Sequence, residues 1–148
     1  MKPIRRVLVP VDLSKSSVSA LDWAISLARE VGAEIDLVHC YAISPLVSIY
    51  GAHFPESYDA ALRRAASGGL SDLAHRVAGQ GVTVRECLVR GDPSESIVEQ
   101  VRLLGADLIV MGTRGQGGLQ HLLLGSVAER VIQTAPCPVV AVRSEPQS

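Results

Sequence analysis

The chain has 148 residues and a formal net charge of −1, and at roughly 150 residues per domain its length predicts one domain over 1–148. With 14 Lys and Arg against 15 Asp and Glu, it has no overall positive field to attract nucleic acid. Hydrophobic residues make up 47% of the chain but aromatic residues only 3%, so aliphatic side chains must build the core. Because aromatic stacking platforms are scarce, we expect no nucleic-acid partner.

No segment of the sequence is suited to export or to a membrane. The apolar run Val7 to Val11 ends at Asp12, which is too short for a signal peptide, and no run approaches the roughly 18 apolar residues of a membrane span. Cys40, Cys87 and Cys137 stand apart without the spacing of metal ligands. We therefore expect a cytoplasmic protein without a membrane partner, whose cysteines are reduced and mostly buried.

Five short aliphatic runs alternate with longer amphipathic segments, which is typical of a parallel sheet covered by helices on both faces. Right-handed crossovers favour an α/β doubly wound sheet of order 3-2-1-4-5, flavodoxin-like or Rossmann-like in layout. Such sheets bind ligands beyond the carboxyl ends of the strands, at the switch between strands 1 and 4. The predicted strands are Val7 to Val11, Ile35 to Cys40, Val82 to Val89, Leu108 to Met111 and Val139 to Val142.

Capping residues and glycines mark the first two predicted helices. The first begins among the serines that start at Ser14, and it ends at Gly32. The second extends from about Ser57 to Ala78 and contains Gly68 and Gly69. Each interior glycine disfavours a helix by about 1 kcal/mol relative to alanine, so we expect a bend or a break there.

The last two helices have clearer start signals. Asp92 and Pro93 suit the cap and first position of the third helix, which ends at Gly105. The fourth begins at Ser126, which with a glutamate three residues later forms a predicted capping box, and it ends before Pro136.

The loop after the fourth strand, Gly112 to Gly118, contains four glycines in seven residues. Glycine lets consecutive backbone N–H groups approach phosphate oxygens, and the helix start at Ser126 offers a second anion site. Arg114 supplies a positive charge, although the lysine-containing phosphate loop and the dinucleotide fingerprint are both absent. Two interpretations remain open at this point, namely a polyphosphate site or a flexible turn followed by a simple helix cap.

The spacing Gly112-x2-Gly115-x9-Gly125-Ser126 resembles the ATP-binding motif of the universal stress protein family. The resemblance covers the whole chain, including the first strand with its acidic turn at Asp12. It implies that the family's ligand, ATP, binds here, with Mg²⁺ possible at Asp12. It also implies the following ATP-binding residues: Pro10, Val11, Asp12, Cys40, Met111, Gly112, Arg114, Gly115, Gly125, Ser126 and Val127.

By the same resemblance, each part of ATP meets a different part of this set. Asp12 would contact the ribose or adenine side, the backbone at Cys40 would pair with adenine, and Val11 would line the base pocket. Met111, Gly112 and Gly115 would surround the ribose and phosphates. The phosphate tail would lie on Gly125, Ser126 and Val127.

The resemblance implies a nucleotide-responsive stress or signalling regulator that acts on an unidentified protein partner. It also implies a homodimer formed through the fifth strand, Val139 to Val142, and an exposed aliphatic edge strand does need a cover. No nucleophile elbow or carboxylate pair marks a catalytic site, so we assign no catalytic residues. The alternatives are a slow ATPase or autophosphorylating protein, and an interaction module that binds no nucleotide.

Two further features are predicted. His39 lies in an otherwise apolar strand and is interpreted as a hydrogen-bonded core histidine. The segment Ala42 to Pro55 is long for a connection, and it holds Tyr50 and Phe54. It remains open whether this segment is a lid beside the site or a mobile loop.

Overall fold

The computed structural model describes residues 1–42, 56–115 and 124–144. The segment 43–55, and with it most of the predicted lid, lies outside the described residues, as does 116–123. Helices and strands alternate along the described chain. They are β1 (Arg6–Pro10), α1 (Lys15–Val31), β2 (Glu34–Tyr41), α2 (Glu56–Gly79), β3 (Val84–Arg90), α3 (Pro93–Leu104), β4 (Leu108–Gly112), α4 (Ser126–Thr134) and β5 (Val139–Val142).

The five strands form one parallel sheet in the order β3-β2-β1-β4-β5, which confirms the predicted topology. Each predicted strand lies within two residues of its observed bounds, and β5 matches at both ends. The winding direction changes between β1 and β4, which pair directly through Val7 with Leu108 and Leu8 with Ile109. Residues that follow β1 and β4 therefore lie side by side at the carboxyl edge.

Alternate residues of the central strands point into two aliphatic cores. On one face, Val7 and Val9 pack with Leu21 and Ile25 of α1 and with Leu70 of α2. On the other face, α3 and α4 cover the sheet. The residues that share this second core include Leu8, Val38, Ile97, Val101, Ile109, Met111, Ala128 and Val131. Since every one of these side chains is aliphatic, the core is built as the composition requires.

The predicted caps of α1 and α3 are confirmed. The Ser14 side chain accepts a hydrogen bond from Ser17 N at 3.2 Å, and α1 ends at Gly32 with φ +70°. The Asp92 carboxylate accepts from Glu95 N at 3.0 Å, and α3 ends at Gly105 with φ +67°. Positive φ favours glycine at both C-caps because glycine has no Cβ to collide with the backbone.

One helix prediction is wrong in part and another is wrong. The helix α2 has no break at Gly68 and Gly69, because Leu70 and Val77 hold its apolar face in the core. The N-cap of α4 is Gly125, and Ser126 is the first helical residue, so the predicted capping box at Ser126 is not formed. Gly125 has extended backbone geometry and fits closely against Thr113, so the N-cap lies one residue before the predicted cap, while the helix begins at Ser126 as predicted.

Among the helices of the described ranges, none combines the length and the apolar character needed to cross a bilayer.

Candidate functional site

A cavity of about 450 Å³ opens at the carboxyl edge of the sheet. The ends of β1, β2 and β4 form its floor, and the first turns of α3 and α4 form its walls. All eleven residues predicted to contact ATP line this one cavity. The complete lining among the described residues is Pro10, Val11, Asp12, Ser17, Val38, Cys40, Pro93, Ile97, Met111, Gly112, Thr113, Arg114, Gly115, Gly125, Ser126, Val127 and Ala128.

The turn after β1 presents Asp12 to the cavity. Asp12 Oδ1 accepts a hydrogen bond from Ser14 N at 2.9 Å, which closes an Asx turn, and Asp12 N donates to Ser17 Oγ at 3.3 Å. Leu13, between Asp12 and Ser14, has φ +67°. It is the one non-glycine residue of the described chain with positive φ. A left-handed conformation costs a leucine roughly 1–2 kcal/mol, and neighbouring contacts must offset that cost.

The end of β4 and the loop after it pack closely against the start of α1 and the turn that carries Asp12. A Cβ on Gly112 would lie 2.8 Å from the backbone oxygen of Ser16, and a Cβ on Gly115 would lie 2.8 Å from Asp12 Oδ2. Ser16 Oγ also accepts a hydrogen bond from Arg114 N at 3.4 Å. The two glycines of the motif therefore bring the β4 loop against the turn that carries Asp12.

The first turn of α4 closes the polar end of the cavity. Gly125 N donates to Thr113 O, and a Cβ on Gly125 would lie 3.2 Å from that oxygen. Ser126, Val127 and Ala128 line the cavity from within the helix. Backbone N–H groups in the first turn of a helix have no intrahelical acceptor, and the helix dipole adds positive potential there. This end of the cavity is suited to an anion.

The opposite end is apolar. Val11, Ile97 and Met111 are buried, with relative exposures of 4%, 2% and 5%, and they form the pocket wall together with Val38. An apolar recess beside a few polar groups is the usual character of a pocket that holds a planar organic ligand.

Cys40 lines the cavity and packs against the second core. Burial raises the pKa of Cys40 to about 11, and this effect outweighs a hydrogen bond with Ser96, which acts in the opposite direction. The thiol is therefore neutral at physiological pH, and it adds no charge to the site.

Among the described lining residues, one carries each sign of formal charge: Asp12 has the carboxylate and Arg114 the guanidinium. In the ranges 1–42, 56–115 and 124–144, no three His, Cys, Asp or Glu side chains cluster as a metal site would require. A divalent ion held here would therefore need ligands besides Asp12, from backbone oxygens, hydroxyls, water or a bound anion.

His39 lies beside the site. Its Nδ1 is 2.6 Å from the backbone oxygen of Val11, to which a protonated Nδ1 donates a hydrogen bond. The hydrogen bond predicted for His39 is confirmed, whereas its predicted place in the core is wrong, because the residue is only partly buried. Val11 N also donates to Val38 O at 2.8 Å, so the chain is held on β2 up to the residue before Asp12.

Six lining residues were not predicted from the sequence: Ser17, Val38, Pro93, Ile97, Thr113 and Ala128. Ser17 was interpreted as a capping residue, although its hydroxyl also accepts from Asp12 N. Thr113 lies inside the glycine motif and could have been found there. Ile97 and Ala128 line the cavity because α3 and α4 pack over it. The spacing of a sequence motif does not predict such helix packing.

In doubly wound α/β sheets ligands bind beyond the carboxyl ends of the strands at the switch point, and this glycine-bounded cavity lies there. A family model described as the universal stress protein family matches residues 3–143. The chain belongs to the universal stress protein family.

Individual relatives extend over the same length. The chain is 36% identical over 139 residues to universal stress protein MJ0531 of Methanocaldococcus jannaschii, covering 94% of this chain and 82% of that protein. The solved structure of MJ0577 from the same organism superposes with a TM-score of 0.88 at 27% identity, covering 99% of this chain and 100% of that one. A crystal structure of a universal stress protein in complex with cAMP matches with a TM-score of 0.70 at 25% identity, covering 96% and 98% of the two chains.

Proposed function

We propose that this protein binds ATP in the cavity and acts as a nucleotide-responsive stress or signalling regulator. One observation carries the proposal: Gly112, Gly115 and Gly125 pack against backbone or carboxylate atoms at one end of a cavity whose other end is apolar. A ligand with an anionic tail and a planar base has the matching polarity. A related protein crystallised with the adenine nucleotide cAMP supports the choice of base.

The lining residues suggest where each part of ATP would be held. The apolar recess around Val11 and Cys40 would take the adenine, and Asp12 would face the ribose or a Mg²⁺ ion. Arg114 and the first turn of α4 would hold the phosphates, with the Ser126 hydroxyl as an additional donor. The residues fit the ligand in charge because the single guanidinium is supplemented by backbone N–H groups.

Further parts of the proposal concern assembly and location. We propose a cytoplasmic homodimer formed along β5, which is an edge strand of the sheet. Val139, Val140 and Val142 are only partly buried in the single chain, so pairing with a second copy would cover them. Val142 O also accepts from Thr113 N at 3.1 Å, which connects this edge to the cavity wall. The partner that reads the nucleotide state would be another protein.

Slow hydrolysis or autophosphorylation is the second candidate activity. Of the described residues that line the cavity, Asp12 alone carries a carboxylate, and its Oδ1 already accepts from Ser14 N. A general base needs a hydrogen-bonding position next to the attacking group and a suitable pKa. Asp12 is thus better suited to binding than to rapid proton transfer, and we expect occupancy without efficient turnover.

The test is a calorimetric titration of the purified protein with ATP and Mg²⁺, with GTP as the comparison ligand. We expect saturable ATP binding, weaker GTP binding and intact ATP after overnight incubation. No ATP binding would contradict the proposal, whereas rapid appearance of ADP would favour the ATPase instead. Sedimentation with and without ATP tests the dimer separately.

A further inference from the structure

The strained residue Leu13 is held from outside the cavity by a glycine of helix α2. A Cβ built on Gly69 would lie 2.7 Å from Leu13 Cδ1, 3.2 Å from Cδ2 and 3.6 Å from Cγ. The end of the Leu13 side chain therefore occupies the space that a side chain at position 69 would fill. This contact explains why a glycine occurs in the middle of a continuous helix, where alanine is the better helix former.

The neighbouring Gly68 has no such contact with Leu13. A Cβ on Gly68 would meet no atom within 4 Å, and Gly68 is exposed whereas Gly69 is partly buried. Both residues lie in the same helix turn and have the same backbone. They differ in the contact with Leu13, so they form a matched pair for experiment.

Leu13 lies between the two residues of the Asx turn that presents Asp12. Its φ of +67° is disfavoured for leucine, and its side chain is 40% exposed, so burial in the main core does not hold it in place. Its side chain packs on α2 at Gly69. Because Asp12 Oδ1 accepts a hydrogen bond from Ser14 N across Leu13, a shift of the Leu13 backbone would move the Asp12 carboxylate.

We propose that Gly69 is a positioning residue for the nucleotide site, because it receives Leu13 and so fixes the turn that aims Asp12 at the cavity and at Gly115. The proposal rests on the nucleotide binding proposed above. A methyl group at position 69 would meet the outer end of the Leu13 side chain, which would have to rotate away from α2. The left-handed turn would then lose the packing that Leu13 makes with α2 at this point.

The test compares Gly69→Ala with Gly68→Ala. Both gain helix propensity, so Gly68→Ala should raise the Tm by about 2–4 °C and leave ATP affinity unchanged. Gly69→Ala should weaken ATP binding about three- to tenfold, since a small displacement of a ligand-facing group has large effects on binding. In the ligand-free protein, its amide chemical shifts should change from residue 12 to 17 and at Gly115, whereas those of Gly68→Ala should change only near the substitution in α2.

A double-mutant cycle with Leu13→Ala separates positioning from general damage. If the contact transmits the effect, Gly69→Ala should change neither affinity nor the Asp12 amide once Leu13 is alanine. Equal affinities for Gly69→Ala and Gly68→Ala, with shifts confined to α2 in both, would overturn the proposal. If the wild-type protein binds no nucleotide, the proposed function fails on its own, and the amide shifts still decide whether Gly69 sets the turn.

Discussion

The amino and carboxyl ends of the sheet are closed by different kinds of contact. At the amino end, the Asp107 carboxylate accepts from Arg5 N at 3.0 Å and from Arg6 N at 3.1 Å, and it pairs with Lys2 Nζ at 2.7 Å. At the carboxyl end, glycines and serine hydroxyls bring two loops together around a cavity. The amino end is held by charged groups. At the carboxyl end, glycines allow a close approach that a side chain would obstruct.

The buried Asp36 is a second charged group near the amino end of the sheet. It is 1% exposed, and Arg85 Nε donates to its Oδ1 at 2.8 Å while Arg6 lies 3.6 Å from its Oδ2. Burial raises the pKa of Asp36, and the nearby Arg6 acts to lower it. A buried ion pair of this kind adds little net stability, because the cost of removing both charges from water offsets much of their attraction.

The largest effect is expected from a substitution at the carboxyl end of the sheet. Gly112→Ala would place a Cβ 2.5 Å from Ser16 Oγ and 2.8 Å from Ser16 O, so the backbone of α1 or β4 must shift. We expect a loss of about 1–3 kcal/mol in the free energy of unfolding, as for other overpacked sites, together with loss of ATP binding. Urea denaturation measures the first quantity and calorimetry the second. Full stability and normal affinity would show that the end of β4 and the start of α1 are not in close contact.

At the amino end, Asp107→Ala should affect stability alone. Loss of the acceptor leaves two backbone N–H groups less well satisfied, and we expect a loss of about 1–2 kcal/mol with ATP affinity unchanged. Lys2→Ala is the control, because its side chain is 80% exposed and an exposed ion pair contributes at most about 1 kcal/mol. A change in affinity would mean that the two ends are coupled.

The same carboxylate gives a pH dependence of known sign. Hydrogen bonds from Lys2 and from backbone N–H groups hold the pKa of Asp107 below its usual range. Its stabilising contribution is therefore present above about pH 4, the unfolded-state value, and is lost as the pH falls through the folded-state pKa. Stability measured between pH 6 and pH 3 should fall more steeply in the wild type than in Asp107→Asn.

A smaller effect is expected from substitutions at the starts of α3 and α4, which should differ in their effect on stability. Asp92 caps α3, so Asp92→Ala should cost about 1 kcal/mol of stability. Ser126 follows the N-cap of α4 and caps nothing, so Ser126→Ala should leave the Tm nearly unchanged and weaken ATP binding severalfold if its hydroxyl contacts phosphate. A drop in Tm without a change in affinity for Ser126→Ala would contradict both the cap assignment and the phosphate contact.

The smallest effect concerns the reactivity of the Cys40 thiol. With a pKa of about 11, only about one Cys40 thiol in a thousand is ionised at pH 8, so alkylation by iodoacetamide should be slow and should rise with pH. The measurement uses a Cys87→Ser, Cys137→Ser background, in which Cys40 is the remaining thiol. We expect ATP to slow the reaction further. Rapid alkylation at pH 7, unaffected by ATP, would place Cys40 outside a protected pocket.

The sheet order and the position of the site follow from the sequence because both depend on local patterns. Aliphatic runs such as Leu108 to Met111 define strands, and the topology then brings the residues after β1 and β4 together. The glycine motif was found by its spacing, and all of its fixed positions line the cavity.

What the sequence did not predict depends on tertiary contacts. Gly68 and Gly69 indicated a break in α2, but the apolar face of the helix keeps it continuous and Leu13 uses the space at Gly69. Ser126 has good capping chemistry, yet the close fit of Gly125 against Thr113 moves the cap by one residue. Propensity scales cannot anticipate either result, because the deciding neighbour is distant in sequence.

The most direct measurement is one calorimetric titration with ATP and Mg²⁺, performed side by side on the wild type, Gly115→Ala and Gly68→Ala. Gly115→Ala would place a Cβ 2.8 Å from Asp12 Oδ2, inside the cavity, whereas the space next to Gly68 is open. We predict saturable one-to-one binding by the wild type and by Gly68→Ala, and a loss of at least about tenfold in affinity for Gly115→Ala. Absent binding by the wild type, or equal affinity in all three proteins, would contradict the assignment of this cavity as the ATP site.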